Sequence, residues 1–256
     1  MMKHKNAVTI LLLVPITMTF GQGSAGSRGT LEPRFLVDMP TAGMIDKGSL
    51  CLDVDVYQAG GVLLGLSWGV LDRFSLGISY GGSGLIGSDT PSWNPLPAVD
   101  ARIRLAEEST SFPALVIGFS SQGHDAYLSS VDRYTIKSPG AFLVVSKNYS
   151  FLGYLSLHGG ANYSFETADG DKDPNYYCGI EKTIGPTISL VAEYNAGLND
   201  NDQQALARER GYLNAGIRWS LGAGVTVSLN FRDLVRNAPE GSVSRRTIHL
   251  EYSKTL

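Results

Sequence analysis

The chain has 256 residues and a formal net charge of −3, which suits one domain and provides no basic face of the kind that holds nucleic acid. Its 43% apolar content is not arranged in the several long runs that a helical membrane bundle needs, and 30 glycines with 12 tyrosines favour β-structure with many turns.

At the start, Lys3, His4 and Lys5 precede an apolar run, Ala7–Val14, that continues to Phe20 and passes into small residues. A basic end, a short apolar core and a small-residue exit make a secretory signal peptide, assigned to residues 1–21, with Gly21 or Ala25 before the cut. The run is short for a membrane anchor. Residues 22–48, with Pro33 and Pro40, carry no periodicity and read as an irregular lead-in, part of it tucked against the domain that follows.

From residue 49 to residue 256 the chain falls into about a dozen segments that alternate apolar and polar residues, the period of a strand with two unlike faces. Leu50, Leu52, Val54 and Val56 alternate with Cys51, Asp53 and Asp55; Val62, Leu64, Leu66 and Trp68 follow after a short turn. Phe74, Leu76, Ile78 and Tyr80 form one side of a hairpin whose return is Val99, Ala101, Ile103 and Leu105, with Arg102 and Arg104 on the opposite face. Phe112–Phe119 continues the pattern, whereas Ala141–Lys147 is apolar on both faces and its register cannot be assigned. Segments around Leu157, Tyr176, Leu190, Ile217, Leu229 and Leu250 complete the series, and Leu256 shares the apolar face of the last one with Tyr252 and, against the pattern, Lys254.

A soluble β-sandwich also alternates, so a secreted binding module is one alternative. The connections favour another architecture. After the first turn they run short, long, short, long, the rhythm of an up-and-down transmembrane barrel with tight periplasmic turns and long external loops. One face is almost free of charge, with Trp68, Tyr80, Tyr163, Tyr194, Trp219, Phe231 and Tyr252 near segment ends as in aromatic girdles. The other carries Arg102, Arg104, Glu181, Glu193, Arg218, Arg232 and Glu251. Charges facing lipid are costly and a lumen can solvate or pair them, so the fold expected is an all-β outer-membrane barrel of about 12 strands, in a bacterial outer membrane. The seven charges either pair across the interior and plug it or line a narrow polar path.

Four blocks carry a resemblance to a known family: LVDMPTAGMIDKGS (Leu36–Ser49), ISYGGSGLIG with PSWNPLP (Ile78–Gly87, Pro91–Pro97), LHGGANYSFE (Leu157–Glu166) and GYLNAGIRWSL (Gly211–Leu221). In them the chain resembles the YjbH-like outer-membrane barrels associated with exopolysaccharide biosynthesis. The resemblance implies a non-enzymatic channel or scaffold linked to exopolysaccharide or cell-envelope export, with no catalytic residue to carry over. Its expected partners are outer-membrane lipid and lipopolysaccharide, the barrel-assembly machinery and polysaccharide.

Other motifs yield to plainer readings. Gly82–Gly87 fits G-x-G-x-x-G by letter, but Ser88-Asp89-Thr90-Pro91 opens no helix, so no nucleotide fingerprint is expected. Asp169, Asp171 and Asp173 resemble the opening of a calcium loop, yet Pro174 and Ile180 occupy its required Gly and Glu places; a solvated acidic external loop is expected, without a metal. Trp93 is placed in an external loop that either stands free or folds over the pore. Ser156, His158 and His249 support an alternative, a lipid- or sugar-modifying enzyme, but by parity they point into the lumen; His124 has no identifiable partner. Cys51 and Cys178 fall on opposite faces and are expected as free thiols, and no cofactor is expected.

Overall fold

The alternating segments are strands that hydrogen-bond in sequence until the last meets the first. The computed structural model describes residues 32–201 and 205–256, so the expected signal peptide lies outside the described residues. The wall begins with β1 (Ser49–Tyr57), β2 (Gly61–Leu71) and β3 (Phe74–Ser83); a two-residue strand β4 (Ser92–Trp93) pairs with the outer end of β3. It continues with β5 (Ala98–Ala106) and β6 (Ala114–Ser120), then a separate hairpin of β7 (His124–Leu128) and β8 (Arg133–Ile136). The remainder is β9 (Gly140–Ser150), β10 (Tyr154–Tyr163), β11 (Asn175–Ile184), β12 (Ile188–Asn195), β13 (Tyr212–Gly222), β14 (Val225–Phe231) and β15 (Arg246–Thr255). All wall pairings are antiparallel, and β15 closes on β1 with Leu250 opposite Val54, giving a 12-strand barrel once β4, β7 and β8 are set aside.

Closure corrects the sandwich alternative, because one sheet curls on itself and leaves no edge. The faces are inverted relative to a soluble protein. Leu64, Leu66, Ile78, Val99, Ile217 and Leu250 are exposed around the outside, while Ser67, Arg102, Ser146, Glu181, Glu193 and Asn214 are buried within. A continuous apolar belt of this kind is untenable in water and natural in lipid, with Trp68, Trp219 and Tyr252 exposed at one rim and Tyr80, Tyr163 and Tyr194 at the other. The chain is a bacterial outer-membrane β-barrel. The turn side carries two-residue connections such as Asp72–Arg73 and Ala223–Gly224; the opposite side carries the long loops, and is the external one.

The glycine-rich block after β3 has a local structural task. Leu85 and Ile86 donate backbone N–H groups to the Gly60 carbonyl, and a Cβ on Gly60 would fall 1.9 Å from the Ile86 oxygen. The block therefore docks on the β1–β2 turn, which only a glycine at position 60 permits.

The lead-in segment from Pro33 to Gly48 fills the lumen. It runs from the turn side to a tip near Asp38 and Met39, where the Leu36 N–H donates to the Met39 carbonyl and Phe35 bridges Pro40, then returns to β1. Leu36, Met39 and Ala42 are 1% exposed. Met39, Ala42 and Met44 pack on Ala114, Val116, Phe142, Val144 and Tyr177 of the wall, the largest apolar core among the described residues. That packing explains the two-faced segment Ala141–Lys147: Phe142 and Val144 point inward onto the hairpin and Leu143 and Val145 point to lipid. Burying each large apolar side chain contributes roughly 1.5–3 kcal/mol, so the hairpin has an apolar as well as a polar anchor.

Candidate functional site in the barrel lumen

The inward charges of β5, β12 and β13, and Arg232 just past β14, converge on this hairpin. Among the described residues Glu193 has no ion-pair partner; its carboxylate accepts the backbone N–H groups of Val37 (2.9 Å), Asp38 (3.0 Å) and Met39 (3.1 Å), and the Asn214 amide at 2.8 Å. Hydrogen bonds to a charged acceptor are the stronger kind, and three consecutive amides at the tip satisfy a carboxylate buried at 1% exposure. Arg102, fully buried, donates to the carbonyls of Arg34 (2.8 Å), Thr41 (3.4 Å) and Gly43 (3.5 Å), and pairs with Asp100 at 3.0 Å. Its guanidinium lies 4.5 Å from the Phe35 ring centre and 5.3 Å from that of Phe142, so it joins hairpin to wall by cation–π contact as well. Arg218 donates to the carbonyls of Phe35 and Leu36 and pairs with Glu181 at 3.0 Å.

The remaining lumen charges also hold the hairpin. Arg232 pairs with Asp38 at 2.6 Å, and Arg104 donates to the Ala42 carbonyl at 2.7 Å and pairs with Glu32, just before the hairpin, and with Glu107 at 3.1 Å. Glu251 lies 3.9 Å from Arg34, whose stronger contact is Asp53 at 2.6 Å. Only the Arg218–Glu181 pair joins two of the seven sequence-predicted charges directly. The expectation of arginines and glutamates pairing across the interior is corrected to this extent: most of them bind the inserted segment, because its backbone and ionised groups reach them first. Cys51, Asp53 and Glu251 are close enough together to suggest a metal site, but the Arg34 guanidinium contacts all three and supplies the positive charge there.

Ser156, His158 and His249, the residues of the enzyme alternative, each have a different partner. The Ser156 hydroxyl donates to Asn148, while His158 Nδ1 pairs at 2.8 Å with Ser146, whose oxygen also accepts the Ala42 N–H at 2.9 Å. His249 bonds Asp55 at 2.9 Å on the other side of the lumen. His124 contacts the Asp38 carbonyl and Arg232, both at 3.3 Å, at the hairpin tip. Ser146 and His124 are site residues that sequence reasoning did not single out or could not place; Ser146 lies in the segment that is apolar on both faces, where parity gives no signal. Cys51 is buried inside and Cys178 exposed outside, neither disulfide-bonded. Non-reducing mass spectrometry of the mature protein should find two free thiols, with a membrane-permeable maleimide modifying Cys178 well before Cys51.

Space remains on both sides of the hairpin. A cavity of about 150 Å³ runs beside β1–β3 and β13–β15, from the Gly222–Gly224 turn up to His124, lined by Asp53, Asp55, Ser228, Asn230 and Glu251. A second, of about 130 Å³, lies between the hairpin and Arg104, Glu108, Ser146 and His158.

The long loops form a cover. Arg133 on β8 donates to Asp169 and Asp200, each at 2.7 Å, and Lys137 to Asp169 at 2.9 Å. Burial disfavours the Arg133 charge, yet its hydrogen bonds and attraction to Asp200 and Asp169 hold its pKa above the usual arginine range. Burial raises the Glu166 pKa, against hydrogen bonds from Ser138 and the Tyr134 N–H. The solvated acidic loop is corrected here: Asp169 and Asp171 are 5% exposed, because three loops fold onto one another around Arg133 and Lys137, and Asp173 alone of the three stays exposed. Trp93 does not close the pore; it stacks on Tyr80, ring centres 5.6 Å apart, at the outer rim, and is 56% exposed.

No protein-family model matches the chain, and no curated protein matches its sequence. Among solved structures it is similar to the KdgM porin, at 11% identity over 81% of this chain and 99% of that one, with a TM-score of 0.48. The NanC porin is similar at 9% identity over 81% and 99%, with a TM-score of 0.43. The outer membrane protein Omp33 of Acinetobacter baumannii is similar at 10% identity over 81% and 97%, with a TM-score of 0.44.

Proposed function

We propose that this chain is a non-enzymatic channel of the outer membrane that rests closed, its N-terminal hairpin serving as the plug. The carrying observation is the binding of the hairpin backbone by Glu193, Arg102 and Arg218, charges that a structural wall in lipid has no need to bury. The two flanking cavities make the residual path narrow. We assign its cargo to exported polysaccharide of the cell envelope. Two things support this: the resemblance of Leu36–Ser49, the plug itself, to the YjbH-like barrels, and the carboxylate, amide and hydroxyl groups on the larger cavity wall, which suit sugar hydroxyls. Outer-membrane lipid and the barrel-assembly machinery are partners of this reading.

Planar-bilayer recording tests the plug. The mature protein should conduct weakly, and a variant lacking residues 33–44 should show a several-fold larger unitary conductance while keeping heat-modifiable gel mobility. An unplugged, folded barrel that conducts no better than the parent would sink the proposal.

A further inference from the structure

The loops joining β12 to β13 and β14 to β15 present a basic patch that neither the plug nor the cavities use. Arg208, Arg210, Arg236 and Arg246 are exposed and Arg245 is half-buried, and among the described residues none has a carboxylate within ion-pair range. Among the described residues the exposed acids beside them are Glu209 and Glu240, and the buried Asp233 carboxylate is taken up by backbone N–H groups, so five arginines stand with two exposed glutamates at one place on the rim.

The patch is built on a rigid support. Asn237, fully buried, accepts the Arg208 N–H with its backbone carbonyl at 2.9 Å, and its side-chain oxygen accepts the N–H groups of Arg208 (3.0 Å) and Arg210 (2.8 Å). Asp233, 2% exposed, accepts the N–H groups of Asn237 and Ala238, and the Leu234 N–H donates to Leu213 at the start of β13. Glu209 and Arg236 both sit in the left-handed region, at φ 60° and 56°, conformations that L side chains adopt only when the surroundings impose them. Buried polar groups thus hold the backbone from which these exposed arginines project.

Their height selects the partner. Arg246 has the outward parity of Ile248, Leu250 and Tyr252 and pairs across strands with Phe231, so it stands directly above the lipid-facing belt. Arg210 is beside the girdle, its carbonyl accepting the Tyr194 hydroxyl at 3.0 Å. On the long-loop side this is the level of the outer-leaflet headgroups. Guanidinium forks match phosphate oxygens in geometry and charge. We propose that Arg210, Arg236 and Arg246, flanked by Arg208 and Arg245, bind the phosphate groups of the outer-leaflet glycolipid, fixing the barrel's depth and one preferred lipid neighbour. The proposal is independent of the plug and of any conductance.

The test uses the folded mature barrel in detergent with three probes: phosphorylated lipopolysaccharide, the same material dephosphorylated, and alginate as a lipid-free polyanion. The parent should bind the phosphorylated glycolipid, and Arg210→Gln, Arg236→Gln and Arg246→Gln should each weaken binding roughly fivefold, as expected of an arginine near an anionic membrane surface. Dephosphorylation should produce a larger loss than any single substitution with no change to the protein, which covers the case of a variant that folds poorly. Equal affinity for the dephosphorylated lipid, or tighter binding of alginate than of lipopolysaccharide, would overturn the assignment.

Discussion

Replacing Glu193 with alanine is expected to release the hairpin from the lumen while leaving the barrel closed. The carboxylate is the shared acceptor of the Val37, Asp38 and Met39 amides, and its loss leaves three buried donors without a partner. Each such orphan costs about 1–3 kcal/mol, so the local loss is at least about 3 kcal/mol, comparable to the apolar anchorage of Met39 and Met44. One effect opposes this, since removing Glu193 also removes a negative charge near Asp38. That relief is small because Arg232, at 2.6 Å, already neutralises Asp38. The measurement is a cysteine placed at the tip, Met39→Cys, in a Cys51→Ser, Cys178→Ser background. It should resist a water-soluble maleimide in the parent and react readily once Glu193→Ala is added, with Glu193→Gln between the two because it retains one side-chain acceptor. Unitary conductance should rise in the same order. Protection of the tip unchanged by Glu193→Ala would mean that the apolar contacts alone hold the plug.

The wall was legible in the sequence because period 2 is a direct consequence of strand geometry, and because water excludes what lipid accepts. Loop rhythm supplied closure and sidedness. The plug was legible only in fragments. Residues 33–48 have no period of their own, and their conformation is set by groups far along the chain: Val37 and Glu193 are 156 positions apart. Two signs of it were nonetheless present. Ala141–Lys147 was apolar on both faces, which fits a wall with lipid outside and something apolar inside, and four arginines and three glutamates pointed into the lumen. The acidic loop misled for the opposite reason. Asp169 and Asp171 look solvated in their own segment, and their burial depends on Arg133 and Lys137 arriving from a different loop. Local pattern reports the environment of a side chain only when one element decides it.

Placing an arginine on the outer wall separates a membrane barrel from a water-soluble one by its dependence on depth. Ile78 lies midway along β3, 53% exposed, opposite Leu66 and Val99 of the neighbouring strands. Leu71, 56% exposed, ends β2 at the turn-side rim. Both carry similar exposure and similar chemistry, so in water Ile78→Arg and Leu71→Arg should differ little and neither should matter much. In a bilayer the midplane arginine is stripped of water and costs about 2–4 kcal/mol, against about 0–1 kcal/mol near the interface, where the side chain extends to the headgroups. Urea titration of folding into phospholipid vesicles, read by heat-modifiable gel mobility, should therefore show a large loss for Ile78→Arg and a small one for Leu71→Arg. The contrast also tests register. A one-residue slip would turn Ile78 into the lumen and Gly77 toward lipid, and the midplane penalty would then appear at Gly77→Arg instead. Equal effects at the two depths would remove the membrane from the explanation of the apolar belt, and with it the reason for keeping the charges inside.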